Sequence, residues 1–333
     1  MLIPVTEPSQ AGDARRRAIA LAEDLRLDEG CCGAVALAAT EMATNLVKHA
    51  GGGHLLLQRV GTNGSSGIRI ISVDKGPGIR DIGSALSDGH STSGTLGSGL
   101  GAIQRSSSGL HLYSMPHSGA VVSAEFYSRE AKHSSNGMQF EIGFVSEPIA
   151  GEDVCGDGWA GRPFRDGLRL MVVDGLGHGV LAADAAREAE RIFDRSQHES
   201  LTMVLQDTNL ALRKTRGAAF GLAQVNLERG LLSFVGVGNV ATSVVAPGVS
   251  RSLASHNGIL GQHMERVQEF TVPWNENSVL VMHSDGLGSR WDLDRYPGIW
   301  SKHPAVIAAL LHRDFCRGRD DVTVVVAKRA AAG

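Results

Sequence analysis

Apolar and polar positions alternate along this chain in two rhythms. From Asp13 to Leu25 the apolar residues fall at Ala14, Ala18, Leu21, Ala22 and Leu25, the stripe of a helix. A second helix is predicted from about Ala34 to Ala50, ended by Gly51-Gly52-Gly53, which cannot continue it cheaply. HLLLQRV and GIRIISV, joined by GTNGSS, read as a hairpin. A polar, glycine-rich stretch from Ile82 to Ser98 leads to a helix from Leu100 to Ser107, and GLHLYSM and GAVVSAEFY read as strands. The next stretch, SREAKHSSNG, is polar and without period. It sets a first domain at 1–130, a linker at 131–137 and a second domain at 138–333.

The second half opens with the strands QFEIGFVSE and LRLMVVD, followed by the helices LAADAAREAERIFDRS and HESLTMVLQDTNLALRKT. Strands AAFGLAQVNLE, LLSFVGVGNVATSVV and SVLVMHSD come next, then a helix, PAVIAALLHRDF, and a last strand, DVTVVVAK. Strands outnumber helices and many connections look like hairpins, so an α+β sandwich is expected rather than a doubly wound sheet.

Composition narrows the function more than the fold. With 333 residues, 42% hydrophobic and 20% charged, the chain can bury two cores. Acids exceed bases by only 35 to 32, which argues against nucleic-acid or membrane-surface binding driven by bulk charge. Cys31, Cys32, Cys155 and Cys316 form no CxxC pair, the first ten residues lack the pattern of a leader, and no window approaches an uncharged apolar 18-mer. A soluble, cytoplasmic protein is expected.

Two stretches share an acid and glycines at the end of an apolar run: IISVDKGPGI, with Asp74, and MVVDGLGHG, with Asp174. In the first half, Glu41 and Asn45 lie four apart on one helix face. Asp74 follows at a strand end, with Gly76 and Gly78 able to let backbone approach a ligand. Gly97, Gly99 and Gly101 then reach a helix start, where free N–H groups favour phosphate. No lysine makes this loop a Walker A, and Gly97-x-Gly99-x-x-Ala102 lacks the preceding strand and following acid of a dinucleotide motif.

This ordered set resembles the GHKL (Bergerat) ATPases, and LAATEMATNLVKHAGGG is similar to the RsbT-like anti-sigma-factor serine kinases. The resemblance implies an α/β sandwich in which Asn45 holds Mg²⁺ against ATP and Asp74 accepts from the adenine amino group. Gly97, Gly99 and Gly101 would wrap the phosphates, and Glu41 would take the proton of a substrate serine. Gly119 is followed by Ala120 where these kinases often carry Thr.

In the second half Asp157, Asp174, Asp285 and Asp320 stand beside glycines or at strand ends. Acids brought together at one sheet edge call for a cation, and an all-oxygen set suits Mg²⁺ or Mn²⁺. Their order resembles the metal-dependent PPM-type serine/threonine phosphatases of the SpoIIE/RsbX branch, an α-β-β-α sandwich. That resemblance makes Asp157, Asp174, Gly175 (through its carbonyl), Asp285 and Asp320 the metal ligands, with Asp321 behind them. It also implies a two-metal centre that generates hydroxide at neutral pH. His178 could be a general acid or hold a turn. Cys155 has no arginine at the Cys-x5-Arg position, where Gly161 stands, and reads as packing.

Together the resemblances imply a bifunctional regulator, acting with ATP, Mg²⁺ and Mn²⁺ on a serine or threonine of a STAS-domain protein in a partner-switching pathway. A homodimer through the first half is possible on the same ground. Two alternatives remain: a phosphatase whose first half only binds, and a non-enzymatic clamp on a transcription factor.

Overall fold

A computed structural model describes residues 1–62, 65–86, 99–128, 139–264 and 267–330. The chain divides into two compact units, 1–138 and 139–333; the expected linker lies outside the described residues.

In the first unit β1 (Leu2–Val5) leads into α1 (Pro8–Asp24) and α2 (Glu29–Asn45). β2 (Gly53–Thr62), β3 (Ser65–Val73), α3 (Ile82–Leu86), α4 (Gly99–Ser106), β4 (Gly109–Ser114) and β5 (Ala120–Tyr127) follow. The five strands form an antiparallel sheet in the order β1-β2-β3-β5-β4. Leu55 and Leu57, Ile68 and Ile70, and Val122, Ala124 and Phe126 fall two apart and so share one face. They make a common core with Ala14 and Ala18 of α1, with Ala38, Ala39 and Met42 of α2, and with Ile103 of α4.

Both long helices start earlier than their apolar stripes suggest, because their starts are built from polar side chains. Pro8 opens α1 within a capping box of Glu7 and Gln10, and the Asp28 side chain accepts from Cys31 N–H at the start of α2. Past Asn45 the helix widens into one π-turn, Leu46–Ala50, and ends at Gly51. Contrary to the expectation that no window approaches an uncharged apolar 18-mer, the helical run Glu29–Ala50, with mean hydropathy 1.3, is long and apolar enough to cross a membrane. Here it lays Val35, Ala38, Ala39, Met42, Ala43 and Leu46 into the core.

The second unit opens with β6 (Phe140–Glu147), β7 (Asp157–Phe164) and β8 (Gly167–Gly175). α5 (Val180–Arg195) and α6 (Leu201–Leu212) come next, then β9 (Ala218–Asn226), β10 (Leu231–Val237), β11 (Ala241–Ala246) and β12 (Val249–Leu253). The short β13 (Gly258–Ile259), β14 (His263–Met264) and β15 (Phe270–Pro273) precede β16 (Val279–His283), α7 (Pro304–Phe315) and β17 (Val322–Arg329). One sheet runs β15-β10-β9-β8-β7 and the other β12-β11-β16-β17-β6.

Leu170 and Val172 of β8 share the core between the sheets with Phe234, Met282 and Val325, while Met171 and Val173 turn outward onto Ala185, Ala189 and Phe193 of α5. A strand covered on both faces is apolar at every position, which is why LRLMVV shows no alternation. α7 packs on β6 and β17 of the opposite sheet, completing four layers.

Two expectations change here. LLSFVGVGNVATSVV is two strands in different sheets, because the chain breaks at Gly238, whose φ of +88° lies outside strand geometry. β7 was not foreseen as a strand, because DGWAGRPF carries two glycines and a proline. It is an edge strand of its sheet, a position that tolerates them.

Candidate functional sites

In the first unit Glu41 and Asn45 are half-buried on α2. A β-carbon placed on Gly99, the first residue of α4, would stand 3.5 Å from Glu41 Oε2, so this carboxylate lies against the helix start. Asp74 follows β3 directly. Its Oδ1 accepts from Gly76 N–H at 2.8 Å and from Ala120 N–H at 3.2 Å. Gly119, with φ +78°, makes that second bond possible: a β-carbon there would come within 2.0 Å of the Asp74 carbonyl oxygen.

Gly76 and Gly78 each meet another part of the chain at close range. A β-carbon on Gly76 would meet Ala50 Cα at 2.6 Å, and one on Gly78 would meet Met115 O at 2.5 Å. The close approach they permit is chain against chain, and it holds the Asp74 turn against the end of the helical run. Gly99 and Gly101 lie in the first turn of α4, while Gly97 lies outside the described residues.

In the second unit, strand pairing assembles the acids. Asp157 begins β7 and Asp174 sits near the end of β8, and the two are direct cross-strand partners. Asp285 lies two residues beyond β16, and Asp320 and Asp321 immediately precede β17, the neighbour of β16. Burial pushes the Asp174 carboxyl up to about 7, and the negative charges of Asp285, Asp320 and Asp321 add to the effect. Asp157 is also raised well above the carboxylate range, by burial first and then by Asp174. Burial and neighbouring carboxylates are the leading causes of the rise in both. Buried oxygens that repel one another fit a divalent cation among them.

Asp321 differs from the others. Both its oxygens are occupied by backbone, Oδ1 by Ile149 N–H and Oδ2 by Gly156 N–H, each at 2.7 Å. The exposed Asp320 accepts from Asp321 N–H at 2.9 Å. Gly175 is buried, and its N–H donates to Gly156 O at 3.2 Å.

Three polar residues here were not singled out from sequence. Ser284 Oγ–H donates to Asp157 Oδ2 at 2.6 Å while accepting from Thr323 N–H at 2.9 Å, and Asn239 Nδ2 donates to Asp285 Oδ2 at 2.6 Å. A Ser immediately before the HSDG acid was the one sequence signal available. His178 Nδ1 is 2.6 Å from Glu152 Oε1, a contact that ties its turn to the 150s loop. Burial pushes the Cys155 thiol up to about 12, which leaves no thiolate for covalent chemistry.

A histidine kinase-like ATPase domain model matches residues 5–123, and the stage II sporulation protein E (SpoIIE) model matches residues 165–330. The serine/threonine-protein kinase RsbT of Bacillus subtilis is 38% identical over 90 residues, covering 27% of this chain and 68% of that protein. The phosphoserine phosphatase RsbX of Bacillus subtilis is 26% identical over 138 residues, 41% of this chain and 69% of its own length. A chain solved in a study of the bacterial stressosome, as a modular system adapted to control secondary messenger signalling, superposes with a TM-score of 0.53. It is 27% identical, and the match covers 57% of this chain and 100% of that one. RsbX in complex with magnesium gives a TM-score of 0.50 at 21% identity, over 59% and 98% of the two chains, and shares the fold. The chain thus belongs to two families joined end to end: the histidine kinase-like ATPases, in their RsbT-like branch, and the SpoIIE-type phosphatases of the PPM fold.

Proposed function

We propose that this partner-switching regulator, with its kinase and phosphatase domains, adds phosphate to and removes it from the same class of target, a serine or threonine on a STAS-domain protein. The observation that carries the reading is the pair of unlike acid sites: one carboxylate against a helix start, and a cluster of carboxylates in which burial and like charge raise Asp157 and Asp174. Domain bounds of 1–130 and 138–333 remain part of this reading.

In the first unit Asn45 would hold Mg²⁺ and Asp74 would receive the adenine of ATP. Gly97, Gly99 and Gly101 would lie along the phosphates. Glu41, beside the α4 start, would take the proton of the target hydroxyl. In the second unit Asp157, Asp174, Asp285, Asp320 and the Gly175 carbonyl would hold Mn²⁺ or Mg²⁺. Bound there, such ions would supply a nucleophilic hydroxide and neutralise phosphoryl charge. Ser284 fixes the Asp157 oxygen it donates to, and Asn239 does the same for Asp285. Joining the two activities in one chain raises the local concentration of each at a shared target.

A phosphatase whose first unit only binds is the second reading, favoured by Ala120 in place of Thr. The placement of Glu41 against Gly99 supports the first reading, since a binder has no need of a base there. Calorimetric titration with ATP and Mg²⁺ separates them at the first step. Binding by the wild type that Asp74→Asn loses supports a working nucleotide site, whereas absence of binding in both refutes the kinase half.

A further inference from the structure

The turn after β8 carries more than the metal ligands. A cavity of about 410 Å³ opens beside it, lined by Glu152, Gly177, His178, Gly179, Val180, Leu181 and Arg216. Arg216 comes from the α6–β9 connection and is brought to the acids by backbone. Leu176 N–H donates to Gly217 O at 3.0 Å, and Gly175 and Asp174 pair with Ala218 and Ala219 of β9. Its guanidinium lies over Gly177, where a β-carbon would stand 3.2 Å from Arg216 Nη1. Among the described residues no carboxylate pairs with Arg216, and the carboxylate in the same cavity, Glu152, is engaged by His178. Arg213 and Lys214, on the same connection, are exposed and also form no ion pair among the described residues.

The rim of this cavity is apolar and open to solvent: Leu176, Val180 and Leu181 are 44%, 60% and 53% exposed. Three large aliphatic side chains within six residues, beside an unpaired guanidinium, form a surface that solvent alone does not favour. A free phosphate ion would use the arginine and leave the aliphatics idle. A phosphoserine carried on a polypeptide would use both.

We propose that Arg216 binds the phosphoryl oxygens of a phosphoserine-bearing protein segment, and that Leu176, Val180 and Leu181 receive the apolar residues flanking that serine. Arg216 is a binding residue here, neither acid nor base: its planar fork matches two phosphoryl oxygens, and its charge offsets the dianion on the side away from the carboxylates. The proposal rests on reading the acid cluster as a phosphatase centre.

Calorimetry on the full chain tests it without requiring turnover. Wild type, Arg216→Ala and Arg216→Lys are titrated first with Mn²⁺, then, loaded with Mn²⁺, with inorganic phosphate. The expected result is a phosphate affinity at least tenfold weaker in Arg216→Ala, partly recovered in Arg216→Lys, with Mn²⁺ affinity and Tm unchanged. Equal phosphate affinity in wild type and Arg216→Ala, with Mn²⁺ bound by both, overturns the role of Arg216 and leaves the metal centre standing. A wild type that binds no Mn²⁺ removes the centre and this proposal with it. For the rim, Leu181→Asp is expected to raise KM for a leucine-flanked phosphoserine peptide several-fold more than KM for free phosphoserine. An equal change in both overturns the apolar contact.

Discussion

β3 and β8 each run an apolar segment into an aspartate, Asp74 in one unit and Asp174 in the other, and the two carboxylates meet opposite surroundings. Around Asp74 the chain supplies donors: two backbone N–H groups converge on Oδ1, one of them reachable only because residue 119 is glycine. Around Asp174 the chain supplies more acids, and burial holds its proton on to about 7. A strand end with Asp and Gly is therefore a place to put a carboxylate and says nothing of its use. The partners contributed by distant strands decide that, N–H groups in one unit and carboxylates in the other.

Four substitutions and one condition sharpen this contrast. The largest effect is expected for Asp174→Asn, which should abolish Mn²⁺-dependent release of phosphate from phosphoserine, with activity down at least ~10³-fold, the order of losing a metal's contribution to such chemistry. The same variant, stripped of metal and held above pH 7, should melt at a higher temperature than stripped wild type, because one of the mutually repelling charges is gone. A lower Tm would break the comparison.

Glu41→Ala comes next. Phosphoryl transfer from ATP to a serine substrate should fall by about 10²–10⁴-fold, the usual range for a general base, while the ATP dissociation constant stays within about twofold. Loss of both would make Glu41 structural.

Asp74→Asn should weaken ATP binding by about 10–100-fold, the range of one hydrogen bond to a charged group. The fourth effect is on stability. In chelated protein the native state keeps a proton on Asp174 up to about 7, whereas the unfolded chain releases it near 4. A raised carboxyl makes its contribution below the unfolded value and loses it as pH rises through the folded one. Chelated wild type should therefore melt at progressively lower temperature from about pH 4 to pH 7, and chelated Asp174→Asn should show a flatter profile by differential scanning calorimetry.

An effect of the same order as that of Asp74→Asn is expected for Ser284→Ala. It removes the 2.6 Å bond to Asp157 and should weaken Mn²⁺ binding by about 10–100-fold, as loss of a ligand's orienting partner does, leaving nucleotide binding unaltered.

What could be read beforehand was whatever depends on near neighbours. Glu41 and Asn45 share a face because the helix repeat puts them there, and Asp74 and Asp174 follow their strands because apolar runs end at Gly-containing turns. The opposition of Asp157 and Asp174 could not be read. It depends on β7 being a strand at all, and Gly158, Gly161 and Pro163 hide that. The contacts of Gly76 and Gly78 with the chain could not be read, because glycine signals a close approach without saying to what; Ala50 and Met115 are distant in sequence. Asp320 and Asp321 are adjacent and chemically alike. Only the third dimension shows that Ile149 and Gly156 have occupied both oxygens of the second.

β7 and β8 close through two residues, Arg165 and Asp166, with Arg165 at φ +52° and Phe164 facing Gly167. A tight hairpin sets the pairing of every residue behind it. The turn thus brings Asp157 opposite Asp174 from a distance of about 23 Å, seven strand steps away, although their charges disfavour the encounter. Inserting one residue at Arg165–Asp166 would slide one acid past the other and turn its side chain to the opposite face. The metal centre would be dismantled with all its ligands still present in the chain, so the length of a remote surface turn acts as a mechanical control on this half of the protein.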